Sequence, residues 1–243
     1  MSSGGEVAYE RLDAEAVAMT AHRLTDRIKA RFPQRNLGQV ADRLASITAE
    51  VEQATARSTT MRVLRGTGVV LIAVLVVLAV ISLAALAVEL VSNTGSTLGW
   101  LQAIETTVND LVFGGIAVAF LWLLPARVER RRILAELHRL RSLAHVIDMH
   151  QLTKDPERFA ADYERTEQSV RVGLEAHEVG NYLEYCSELL SLVAKTAALY
   201  AERTTDGAVL ATISDIENLT NSMSRKIWQK LALLPRETAA GLS

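Results

Sequence analysis

His138, Arg141, His145 and Asp148 stand at 3-4-3 spacing, one polar stripe along a helix, with His150 close by. An imidazole and a carboxylate three residues apart share a helix face and can share a metal ion or a proton. A metal centre built inside a helical bundle normally draws on Glu-x-x-His pairs from separate helices. The chain has no such pairs and no second His or Cys cluster. Metal chemistry therefore has no ligand set, and no cofactor is implied. A buried Arg–Asp–His hydrogen-bond network that fixes helix register accounts for the same residues, with a ligand or pH sensor as the alternative.

Other chemistry is thinner still. Glu175-Ala176-His177-Glu178 reads as a solvated helix end beside Gly180. The single cysteine, Cys186, falls on a core-facing position, where a thiol is inert, and it excludes an intrachain disulfide. There is no Gly-rich phosphate loop, Gly-x-Ser-x-Gly elbow or Walker lysine, so the expectation is a protein that is not an enzyme. Net charge is −2, which gives no general attraction to nucleic acid. Arg225, Lys226, Trp228 and Lys230 have the composition of a membrane-surface patch or of an ordinary polar helix face.

The elements that must position these residues are helical. Thr67–Val88 is a run without charge, rich in Val, Leu, Ile and Ala, and Leu111–Ala126 is a second, shorter one. At about 1.5 Å per residue the first covers a hydrocarbon core of roughly 30 Å; the second falls a little short. Arg57, Arg62 and Arg65 precede the first run, and Arg127, Arg130, Arg131 and Arg132 follow the second. No Lys or Arg lies between Arg65 and Arg127. This asymmetry predicts an inner-membrane, multi-pass protein with both termini in the cytoplasm and membrane lipid around its hairpin.

The predicted organisation follows: an N-terminal cytoplasmic helical segment, 1–66; a first transmembrane helix, 67–92; an extracytoplasmic loop, 93–110; a second transmembrane helix, 111–126; and a C-terminal cytoplasmic bundle, 127–243. Leu98–Thr107 reads either as a short helix on the outer interface or as a continuation of the second span. Glu89, Glu105 and Asp110 would form an acidic outer rim. Gly114, Gly115 and Ala119 offer a small face for close helix packing, within the hairpin or between protomers. No ionisable residue lies mid-span, which argues against a proton relay.

Outside the spans the apolar spacing is helical throughout. The first helix is expected over Tyr9–Phe32, closed by Pro33. A second carries Val40, Leu44, Ile47, Val51 and Ala54 at heptad spacing. The second span continues as Ile133, Leu137, Leu140, Ala144 and Ile147 and stops near Leu152. Asp155-Pro156 restarts a helix burying Phe159, Tyr163, Thr166 and Val170 and ending near Gly180. Two more follow: one with Tyr182, Cys186, Leu189, Val193, Thr196 and Tyr200, the other running from Ile213 to Leu234. The fold class expected is an all-α membrane protein: a two-helix transmembrane hairpin whose spans extend into a cytoplasmic helical bundle.

Three stretches, Leu140–Pro156 (LRSLAHVIDMHQLTKDP), Ile216–Thr220 (IENLT) and Ser224–Lys230 (SRKIWQK), resemble a group of uncharacterised bacterial membrane proteins with two spans and cytoplasmic helices. The layout is also similar to SLATT-type two-span effectors of bacterial conflict systems, in which the helical part is thought to control a pore. The expected function is a non-enzymatic membrane protein whose bundle binds a protein partner or a copy of itself. The alternative is an oligomeric gated pore of a defence system, controlled by that bundle.

Overall fold

The computed structural model describes residues 11–56, 69–70, 72–77, 79–84, 87–88, 97–160, 162–169 and 173–234. Its helices are α1 (Ala14–Arg31), α2 (Leu37–Ala56), α3 (Ile72–Ala84), α4 (Thr97–Leu152), α5 (Ala176–Ala201) and α6 (Gly207–Leu233). One 3-10 turn, Pro156–Phe159, precedes α5. The described residues contain no strand, so the all-α expectation holds. Two compact units divide the chain, one of 1–56 with 132–243 and the other of 57–131.

The first unit is a helical bundle whose ends are chemically specified. Asp13 caps α1 by accepting from the Glu15 amide at 3.0 Å, and Lys29 and Arg31 sit in the last turn, where helix carbonyls favour cations. Pro33 then breaks the chain into a short turn before α2. Lys29 pairs with Asp42 across this hairpin at 2.7 Å and crosses over Gly38, where a Cβ would meet its Cγ at 3.1 Å. Asp206 caps α6 more fully, accepting from the amides of both Ala208 and Val209.

The heptad residues form one core. Leu24 and Ile28 of α1, Leu44 and Ile47 of α2, Leu137, Leu140, Ala144 and Ile147 of α4, and Cys186, Leu190 and Val193 of α5 are all essentially without solvent contact. Ile213, Ile216 and Ile227 of α6 complete it. Burial of this many aliphatic side chains is the main stabilising term, at roughly 1.5–3 kcal/mol each.

Two expectations need correction. Of the helix predicted from Asp155 to Gly180, the described residues before α5 form a single 3-10 turn, Pro156–Phe159, and otherwise turns and irregular chain. Tyr163 and Thr166 are exposed, and Val170 lies outside the described residues. Between Tyr163 and Ser169 there is no apolar residue to bury, and the Ser169 hydroxyl accepts from the Thr166 amide, a local bond that competes with a helix. The Glu175–Glu178 stretch is a helix start rather than an end. The Glu175 side chain accepts from the Glu178 amide, and Glu178 accepts from the Glu175 amide at 2.9 Å. Gly180 thus sits inside α5, beside Leu234, which a Cβ at this position would meet at an ordinary contact distance of 3.4 Å.

In the second unit, α4 is one continuous helix through Thr97 and past Pro125, which is the continuation reading of Leu98–Thr107 rather than a separate interfacial helix. Among the described residues of the chain, one stretch, Val112–Phe159, is long and apolar enough to cross a membrane, and none of its apolar window is buried. Phe113, Ile116, Phe120 and Trp122 are each more than half exposed. The apolar α3 is shorter.

Candidate functional site

The polar stripe from His138 to Asp148 is split by the helix it lies on. His138, Arg141 and His145 face solvent and make no hydrogen bond or ion pair among the described residues. Asp148 is half-buried and accepts from Gln151 Nε2 at 2.6 Å. Only His150 reaches into the bundle, where its Nδ1 lies 3.0 Å from the Tyr182 hydroxyl of α5. The described residues hold no group of three or more His, Cys, Asp or Glu side chains able to bind a metal ion.

Tyr182 organises what surrounds it. Its side chain is almost wholly buried; Phe32 packs edge-on at 5.3 Å between centroids, and Lys154 Nζ stands 5.0 Å over the ring. Burial raises the Tyr182 phenol well above its ordinary range, so the hydroxyl stays protonated. The same burial, reinforced by the charge of Lys154, lowers His150 and favours neutral imidazole.

Lys154 is the unusual member. It follows the end of α4, is only 8% exposed, and donates to the Thr153 hydroxyl at 2.8 Å. Neither Lys154 nor Lys230 has a carboxylate within ion-pair distance among the described residues. Burial first, and then the charges of Arg35, Arg158 and Lys230, lower its pKa. Those three cations come from three different elements. Arg35 lies in the α1–α2 turn and donates to the Gly173 carbonyl at 3.0 Å; Gly173 has φ 57°, a conformation natural to glycine. Arg158 rides on the 3-10 turn, which packs on α5 and α6. Lys230 of α6 donates to the Gln151 carbonyl at 3.1 Å, tying α6 to the end of α4. Gln151 itself is buried, and its side-chain Oε1 has no hydrogen-bond partner among the described residues.

Cys186 is wholly buried nearby, and burial pushes its thiol up to about 12, so no thiolate is available. Sequence reasoning puts Lys154, Tyr182 and Lys230 in a helix restart, a core seam and a surface patch. What joins them is tertiary packing, and the available signal was a lysine on the closing turn of an apolar seam.

The remaining expected site residues divide by unit. Arg127, Arg130, Arg131 and Arg132 are exposed along α4. Arg57, Arg62, Arg65 and Glu89 lie outside the described residues, as does the side chain of Asp110; Glu105 is exposed. Gly114 is half-buried, Gly115 and Ala119 are exposed, and a Cβ built on either glycine meets nothing within 4 Å. On the bundle, Ser187, Ser191 and Lys195 of α5 face Asn218, Asn221 and Ser224 of α6 across an open polar groove.

Compared with protein-family models, with curated proteins and with solved structures, the chain matches none.

Proposed function

We propose that this is a membrane-embedded, non-enzymatic protein whose helical bundle mediates assembly, with a second copy or with a protein partner. The observation that carries the reading is the uncovered apolar surface around Phe113, Ile116, Phe120 and Trp122. Large apolar side chains exposed on more than one side of a helix mark a surface that lipid or another protein covers. The absence of Lys and Arg between Arg65 and Arg127 supports two spans with both termini cytoplasmic, in the inner membrane of a bacterium. The polar groove between α5 and α6 supports an assembly role for the bundle, because its serine, asparagine and lysine side chains offer hydrogen bonds to another chain.

A gated pore of a defence system is the second reading, favoured by the small residues Gly114, Gly115 and Ala119, where a side chain on either glycine would meet open space. Two spans cannot enclose a water path alone, so oligomeric state separates the readings. Native mass spectrometry of the full chain in mild detergent is the test. A monomer or dimer retained in the membrane fraction after high-salt washing fits the assembly module. A ring of about four or more copies makes the pore the better reading, and a chain released by salt overturns both.

A further inference from the structure

An open cleft of about 540 Å³ lies between α1 and α5, and ion pairs between the two helices bracket it. At one end Arg27 donates twice to Glu188, at 2.9 and 3.3 Å, and its guanidinium lies 5.2 Å over the Tyr185 ring. Beyond the other end Arg11 meets Glu202 at 3.8 Å. Between these pairs the lining side chains include Ala16 and Thr20 of α1 and Ser191 of α5, which are too small to fill the gap. Buried Val17, Leu24 and Leu192 form its floor. Small-molecule sites occupy roughly 300–1,000 Å³ and set a few charged groups over an apolar lining, as this cleft does.

The charges around the cleft do not balance. Asp13 and Glu188 stand against Arg23, Arg27 and Lys195, which leaves a single net positive charge. Both carboxylates are engaged, Asp13 in capping α1 and Glu188 in holding Arg27. Arg23 makes no hydrogen bond or ion pair through its side chain among the described residues. Lys195 has only the Ser191 hydroxyl, at 2.8 Å. The two free cations belong to opposite walls, one on α1 and one on α5.

We propose that the cleft binds a small amphiphilic monocarboxylate, its head between Arg23 and Lys195 and its apolar tail on Val17, Leu24 and Leu192. A guanidinium offers a planar fork to a carboxylate, and an ammonium adds a point charge from the other wall. A monoanion cancels the excess charge, whereas a dianion overshoots it. The tail takes apolar surface out of water, which an inorganic anion cannot do.

Thermal unfolding of the full chain in nanodiscs of zwitterionic lipid, titrated with octanoate, is the test. Octanol carries the tail without the charge, and acetate the charge without the tail. Octanoate is expected to stabilise saturably, with an apparent Kd about tenfold or more below those of octanol and acetate. Arg23→Gln and Lys195→Gln should each weaken octanoate about three- to tenfold and leave octanol unchanged, because each removes one charge-assisted bond at an exposed position. Arg31→Gln, exposed on α1 outside the cleft, should change nothing. Ala16→Leu fills the gap with a residue that suits a helix, so octanoate binding should be lost while helix content is kept. Octanoate that binds no better than octanol, that fails to saturate, or that binds Arg23→Gln and Lys195→Gln as well as the parent chain overturns the proposal.

Discussion

Thr48 of α2 and Thr196 of α5 meet hydroxyl to hydroxyl at 3.1 Å, both fully buried in an otherwise apolar core. Each hydroxyl also points at the carbonyl four residues back, Leu44 for Thr48 at 2.9 Å and Leu192 for Thr196 at 2.8 Å. Three contacts share two protons, so at any instant one hydroxyl serves as acceptor. The pair fixes the register of α2 on α5 without leaving a polar atom unsatisfied.

A double-mutant cycle with Thr48→Val and Thr196→Val tests that coupling. After either single change the surviving hydroxyl still donates to its own carbonyl, so each should cost about 1 kcal/mol. The double variant should cost less than the sum, by about 0.5–1 kcal/mol. Strict additivity would show that the contact contributes nothing to register.

Glu50 of α2 accepts from Arg139 of α4 at 3.0 Å, and Arg139 also bonds Glu136. The hydrogen bond from Arg139 is the main reason the Glu50 carboxyl lies below its ordinary 4.5. A depressed carboxyl stabilises the fold at pH values above its unfolded pKa, and the gain disappears as pH falls through the folded value. Glu50 is half exposed, so solvent screens the pair to about 0.5 kcal/mol or less. Glu50→Gln should lower stability by that amount at pH 7, and the loss should shrink as the pH is taken down through the folded pKa. An equal loss at neutral and strongly acidic pH would place the effect in packing rather than charge.

His150 is a base, and its folded pKa is also depressed. Burial, then Lys154, lowers it from 6.5, so the unfolded chain takes up a proton before the folded one does. The neutral imidazole therefore costs nothing above about pH 6.5, and stability is lost as pH falls toward the folded pKa. His150→Gln keeps a polar group for the Tyr182 hydroxyl and cannot titrate. It should therefore flatten the fall in thermal stability below about pH 6.5. An unchanged slope would assign that pH dependence to other groups.

Much of the bundle was readable because burial writes a 3.6-residue period into a sequence. Leu137, Leu140, Ala144 and Ile147 announce their face, and all four are buried. Phe159 and Tyr163 have the same spacing, yet the residues from Glu164 to Ser169 add no apolar side chain to extend it, and the helix fails there. Glu175 is hard to recognise as a cap because a glutamate at that position also suits a helix surface; only the reciprocal bonds with Glu178 reveal its role. The Lys154 cluster was invisible for a different reason. Its members lie in separate parts of the chain, and no local pattern encodes their meeting.

Gly115 distinguishes packing inside one chain from packing between chains. A Cβ placed there would find nothing within 4 Å, so the missing side chain serves no contact among the described residues of its own chain. Gly115→Leu should therefore leave helix content and membrane retention unchanged. If the small face with Gly114 and Ala119 packs against a second copy, the larger side chain separates the backbones and weakens van der Waals contact. Native mass spectrometry should then show a shift toward smaller assemblies. An identical mass distribution for Gly115→Leu and the parent chain would remove this face from the assembly interface and leave the groove between α5 and α6 as the surface to mutate next.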